Sequence, residues 1–202
     1  MRIRFVITII ACCLIASCKN STQTTPDDFT SSTSWIYSDN NFDSTDKVVS
    51  SQTDTVTIIS SNISNSQKTL NFSDSSNIVL SANGSTWILL QFNPSSALCV
   101  FSAFPGIAGD TISKTTNIPL KINGKVSQGT IVTFIKDVNV SVTVPAGNFS
   151  CTIYEMDIFV NGIIEAKILT YVSGSVGVVQ KDYYLLNAKT GALYLSERRQ
   201  LK

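Results

Sequence analysis

FSCTIYEMDIFVNGIIEAKILTYVS, residues Phe149–Ser173, is the stretch that decides the fold. Two runs rich in Ile, Val, Tyr, Phe and Thr flank Asn161-Gly162, a dipeptide that accepts the positive φ angles of a two-residue type I′ turn. The expected hairpin sets Phe149–Val160 against Ile163–Ser173. A regular turn pairs Val160 with Ile163, Ile158 with Glu165, Met156 with Lys167, Tyr154 with Leu169 and Thr152 with Tyr171. The opposite face carries Phe149, Cys151, Ile153, Ile164, Ala166, Ile168 and Val172, interrupted by Glu155 and Asp157. Both faces are mixed, so parity leaves open which one points inward, and a bulge can exchange them midway.

The same pattern extends both ways. Downstream, Val176–Leu186 and Ala192–Arg199 are strand candidates separated by Asn187 to Gly191. Upstream, Val138, Val140, Val142 and Val144 alternate with Asn139, Ser141 and Thr143, a strand with one wet face. Ile118–Asn123 and Lys125–Asp137 flank a second hairpin dipeptide, Asn123-Gly124. Ser85–Asn93 and Ala97–Phe104 are apolar on both faces and read as central strands; Thr55–Ser60, Lys68–Ser73 and Asn77–Ala82 are shorter candidates. Phe104 to Thr116 reads as an irregular rim or lid loop. No convincing helix and no fixed repeat is found beyond the first twenty residues. About eleven or twelve strands cannot stay flat in one sheet; they curl or split. The fold class expected is all-β, a strongly curved antiparallel sheet.

Composition narrows the chemistry. The 202 residues fit one domain or at most two small ones, and a net charge of +1 gives no footprint for nucleic acid. The absence of His excludes a Ser-His-Asp triad, an imidazole base and a His-containing zinc site. No metal or cofactor motif is found.

The first residues, MRIRFVITIIACCLIASCKN, set Arg2 and Arg4 before an apolar run from Phe5 to Ala16. As a helix the run spans ~18 Å, at ~1.5 Å per residue. A bilayer core is ~30 Å thick, so the run reads as a secretory signal peptide. It ends in Ile15-Ala16-Ser17-Cys18, which resembles the lipobox of bacterial lipoproteins. That resemblance implies cleavage after Ser17 and acylation of the Cys18 sulfur, with two or more chains giving stable membrane attachment. Loss of Arg2 and Arg4 moves the net charge from +1 to −1. Lys19 follows the lipobox and no acidic run does. By resemblance to the sorting rule of enteric bacteria, Lys19 implies the outer membrane, and the lack of an acidic run, unlike the surface-export tags of some Bacteroidetes-like lipoproteins, implies the periplasmic face. Residues 18–34 are polar and read as the lipidated N-terminus and a flexible tether; sixteen flexible residues reach about 20–25 Å. Residues 35–202 form the single β-rich domain.

Two stretches carry a further resemblance. Val144-Pro145-Ala146-Gly147-Asn148-Phe149 resembles a V-P-A-G-T-F turn, and Tyr171 to Lys181 (YVSGSVGVVQK) resembles a Y-x-x-G-V-G-L-V-K segment. Both occur in bacterial envelope lipoproteins similar to the half-barrel superfamily of the lipoprotein localisation factors and mycobacterial lipid-binding lipoproteins. The resemblance covers residues 118 to 202 and departs at Asn148, Val178 and an extra Ser175. It implies an open half-barrel around an apolar hollow and transfers no catalytic residue.

The candidate site residues follow. Trp87, Phe101, Phe134, Tyr154 and Tyr171 are candidates to line a ligand cavity, with core packing as the alternative. Cys99 and Cys151 either form a disulfide, closing a 52-residue loop for about 4 kcal/mol, or remain buried thiols. Glu155 and Asp157 share a strand face but lack any nucleophile motif, and Lys167 is a nearby partner; the reading is non-enzymatic. Glu197-Arg198-Arg199 with Lys202 reads as a solvated edge. The expected function is binding of a hydrophobic or amphipathic ligand in the hollow. The alternative is an interaction module that binds another envelope protein through edge strands or rim loops. An apolar cavity of at least ~300 Å³ favours the first, and a packed interior the second.

Overall fold

The computed structural model describes residues 33–65, 67–80, 87–92, 98–104, 106–122 and 125–202, with the side chains of 87–92, 98–104, 121–122 and 125 outside the description. The leader, Cys18 and most of the tether, together with the Asn83-Gly84, Asn93–Ser96 and Asn123-Gly124 turns, lie outside the described residues. The protein is all-β. Its strands are β1 (Ser34–Phe42), β2 (Val48–Ser64), β3 (Gln67–Phe72), β4 (Ser76–Leu80), β5 (Trp87–Phe92), β6 (Leu98–Phe104), β7 (Thr111–Ile122), β8 (Lys125–Val144), β9 (Gly147–Val160), β10 (Ile163–Ser173), β11 (Gly177–Leu186) and β12 (Leu193–Leu201). The antiparallel order is β6-β5-β4-β3-β2-β1-β12-β11-β10-β9-β8-β7.

That order forces curvature. Laid flat, twelve strands at ~4.8 Å spacing span about 53 Å. The two edges are joined by the link from Phe104 to Thr111, which reaches about 25 Å at most. The sheet therefore curls until β6 approaches β7, β8 and β9, but among the described residues no ladder joins β6 to β7. The result is an open half-barrel.

The Asn161-Gly162 hairpin forms as expected, with both residues at positive φ (51° and 80°) and Val160 opposite Ile163. Its register then departs from the regular one. A bulge between Ile164 and Ala166 sets Met156 opposite Ile168, Asp157 opposite Lys167 and Thr152 opposite Val172. The regular register would have faced Met156 with Lys167. The extra residue pairs apolar with apolar and acid with base.

Other expectations are corrected. Residues 111–116 belong to β7, so the irregular link shrinks to 105–110. Lys125–Val144 is one strand with bulges between Ile135 and Val140. β1 is polar from Ser38 to Asn41, and neighbours hold it on both sides: Tyr37 faces Leu201 on β12 and Asp54 on β2. First and last strand of the domain thus lie side by side.

Cross-strand partners share a face. One row runs Ile135–Tyr154–Thr170–Lys181–Arg199–Asp39, and the next runs Phe134–Glu155–Leu169–Asp182–Arg198–Asn40. The first lies on the inner face, with Tyr37, Ile58, Leu70, Leu80 and Val179 buried in the core. The second lies on the outer face. At Gly129 no larger residue fits, because an added Cβ would fall 2.9 Å from the Phe159 carbonyl oxygen and against Leu120.

β8 and β9 outrun their neighbours. β7 pairs with β8 only as far as Phe134, and β10 with β9 only as far as Thr152. Beyond them Val140–Val144 and Gly147–Cys151 form a two-stranded ribbon closed by the Pro145-Ala146 turn. Its valines turn inward, with Val144 6% and Cys151 1% exposed. Asn139, Ser141, Thr143 and Asn148 face water, as the alternation predicts.

Candidate functional site

The inner face holds an apolar cleft where β1, β3, β4 and the β10–β11 turn converge. Trp35, Tyr37, Val56, Phe72, Ile78, Val176 and Val178 line it, with Asp74, Lys181 and Arg199 as its charged members. Trp35 and Phe72 pack at 5.6 Å between ring centroids. The Tyr37 hydroxyl donates to the Val178 carbonyl at 2.9 Å and ties β1 to the far wall. The cleft has a volume of about 40 Å³. Tyr154, Met156, Ile135 and Val179 pack the neighbouring interior. The cleft itself is thus smaller than the ~300 Å³ that a bound lipid or other small ligand needs. A larger depression of about 420 Å³, lined by Lys114, Asn117, Gln128, Val132, Phe159 and Asn161 with others, is open and mixed in polarity.

The three cavity candidates whose side chains are described do not come together. Tyr154 is buried in the core. Phe134 and Tyr171 lie on the outer face, Tyr171 donating its hydroxyl to Asp182 at 3.4 Å. None of these three lines the cleft. Trp87 sits on β5 and Phe101 on β6, with side chains outside the described residues. The reason is the strand alternation: a one-residue difference in parity moves an aromatic side chain to the opposite face. Of the residues that do line it, Trp35 and Tyr37 flank Ile36 in a short apolar run and Phe72 closes Leu70-Asn71-Phe72; the available signal was the period-2 spacing of each pair. Cys151 is buried with a free thiol, and burial pushes its pKa up to about 11. The side chain of Cys99, on β6, lies outside the described residues.

The basic end is not a solvated edge, because β12 lies inside the sheet between β1 and β11. Arg199 donates to both carboxylate oxygens of Asp39 at 2.8 and 3.0 Å, and to Asp54 at 3.1 Å. Its guanidinium sits 5.6 Å from the Tyr37 ring centroid. On the outer face Arg198 grips Asp182 in the same forked manner at 2.8 and 2.9 Å. Gln180 donates to both oxygens of Asp182 at 3.1 Å, and Gln200 donates to Gln180. Asp39 and Asp182 are each 1% exposed, so these are desolvated, charge-assisted contacts.

Glu155 and Asp157 also lie on the outer face. Lys136 donates to Glu155 at 2.8 Å, and Lys167 bonds the same carboxylate and approaches Asp157 at 3.8 Å. Burial opposes the Glu155 charge, but the two lysines outweigh it and hold its carboxyl below the ordinary range. Asp157, desolvated and beside Glu155, is pushed up despite Lys167. Two acids and two bases compensate within the cluster.

Lys181 is the costly member of the inner face. Burial pushes its pKa down to about 8, with Asp74 opposing and Arg199 adding to the shift. A depressed lysine destabilises the fold while it is charged. Below pH 8 the full penalty applies; from there towards the unfolded value of 10.5 the unfolded chain binds more protons, so stability rises with pH. Lys181→Met is therefore expected to stabilise the protein by about 1–3 kcal/mol at pH 7 and to abolish the rise between pH 8 and 10, read by urea unfolding across that range.

No family model matches the chain, and no curated protein matches it significantly. Among solved structures it is similar to a protein from Bacteroides fragilis NCTC 9343, provisionally named an exported protein with a YmcC-like fold. The match has 17% sequence identity, covers 82% of this chain and 92% of that one, and has a TM-score of 0.47.

Proposed function

We propose that the protein is a non-enzymatic lipoprotein of the bacterial outer membrane. In this reading it is acylated at Cys18 and faces the periplasm, where its half-barrel docks another envelope protein. The observation that carries the docking role is a group of exposed apolar side chains at one end of the sheet, beside a cleft of only about 40 Å³. A second observation gives the direction. The chain enters the sheet at Ser34, at the end where β12 finishes and the β8–β9 ribbon turns over. The opposite end, formed by the β1–β2, β7–β8, β9–β10 and β11–β12 turns, carries exposed Val48, Val49, Val126, Ile163 and Leu185. A tether at one end thus presents an apolar rim at the other, about 30 Å along the strands, at ~3.3 Å per residue.

The test is a photo-crosslinking residue at Ile163 or Val49 in the full-length protein in cells, with the same probe at Asn148 on the ribbon as control. A discrete adduct of one envelope protein from the rim positions only, lost in a Val49→Lys/Ile163→Lys variant that keeps its melting temperature, is the expected result. Stoichiometric lipid co-purifying with the native protein, and no rim adduct, would return the function to ligand carriage.

A further inference from the structure

We propose that the β8–β9 ribbon, Val140–Cys151, is a hinged flap that opens independently of the sheet and uncovers an apolar patch around Tyr37 and Leu201. Three observations converge on it. First, the ribbon is joined to the sheet weakly. Both long edges lack ladder partners among the described residues. Of its backbone hydrogen bonds to the rest of the described protein outside the ladders, one remains, from the Ala146 N–H to the Leu201 carbonyl at 3.1 Å.

Second, the ribbon has a hinge. The β8 register slips between Ile135 and Asp137 and again between Asp137 and Val140, and Asn139 sits at φ 58° between the slips. Bulges interrupt the ladder, so bending there breaks fewer bonds than bending within a regular strand. The sheet proper ends just before the hinge, where Gly109 and Asp110 bond both backbone groups of Ile135.

Third, what closes the flap is apolar. Val144 and Cys151 are buried in the common core, and Val138, Val142 and Phe149 pack against it. Tyr37 and Leu201, 5% and 7% exposed, belong to the same cluster, and the ribbon reaches them through the bond from Ala146 to Leu201. Contacts of this kind are non-directional and can be released and remade without loss of a paired charge. An element with few ladder bonds and one apolar seam belongs to the low-stability end of the structure, where local opening precedes global unfolding. Tyr37 also lines the cleft, so opening widens the same interior from its end.

Cys151 is a built-in reporter. Closed, its thiol is 1% exposed and free, so alkylation requires opening. The full-length protein is treated with N-ethylmaleimide, and modification at Cys151 is read by peptide mass, which separates it from the other cysteines. If the flap opens locally, the labelling rate is nearly flat with urea well below the unfolding midpoint. A rate that climbs with the full urea dependence of global unfolding overturns the proposal. Val144→Asp supplies the second arm by placing a charge in the seam. Cys151 labelling is expected to rise at least a hundredfold, while amide-exchange protection at Val179 and Leu70 is unchanged. If protection there falls together with that of Cys151, the ribbon is an inseparable part of the sheet and there is no flap. The result does not depend on the docking role of the opposite rim.

Discussion

Arg199→Met is expected to lower the unfolding free energy by about 3–5 kcal/mol, the cost of leaving a buried carboxylate without its counter-charge. For a domain of this size that is a fall in melting temperature of about 10 °C. The substitution keeps most of the apolar stem but removes both bonds to Asp39, the bond to Asp54 and the contact with the Tyr37 ring. Asp39 is 1% exposed and cannot turn to water without opening the β1–β12 joint. Methionine therefore loses more than a surface ion pair, which is worth ~0–1 kcal/mol. The double variant Asp39→Asn/Arg199→Met separates the two contributions. If the loss is the stranded charge, the second substitution restores about 2 kcal/mol or more. If the double variant is as unstable as the single one, packing of the arginine stem is the cause. Thermal unfolding of the three proteins at neutral pH decides between them.

Cys18→Ser is expected to abolish incorporation of labelled palmitate and to release the protein from the membrane fraction. A serine at that position keeps the size of the lipobox residue but removes the thiolate that is alkylated. A protein bound by two or more acyl chains is stably held, whereas one without them relies on weak peripheral contacts. The expected change is thus from full to negligible membrane retention after a high-salt wash. Continued retention of the Cys18→Ser variant would mean that the leader itself, or the domain, holds the membrane, and the tethered-module reading would fail with it.

The parts of the fold that local chemistry controls were legible. Asn161-Gly162 dictated its turn, and the Val138–Val144 alternation gave a strand with one wet face, because each depends on residues within a few positions. The bulge after Ile164 was not, since it is decided by how Met156, Asp157, Lys167 and Ile168 meet across the ladder. β1 was missed for a related reason. Its Ser38-Asp39-Asn40-Asn41 segment has no strand preference of its own and is extended because β2 and β12 flank it. The same non-local pairing turned Arg198 and Arg199, which read as a solvated tail, into half-buried clamps on two buried aspartates. Likewise the inward aromatic residues of the cleft could be assigned only once the register was known.

The joining of first and last strand has a consequence for biogenesis. Asp39 and Arg199 are separated by 160 positions, so the acid waits for its clamp until nearly the whole domain has been synthesised. A chain stalled before Leu193 leaves Asp39 and Asp182 both without their arginines and the rim of β1 bare. Completion is thereby inspected by the fold itself: fragments are held open to proteases and chaperones, and only the finished polypeptide zips shut.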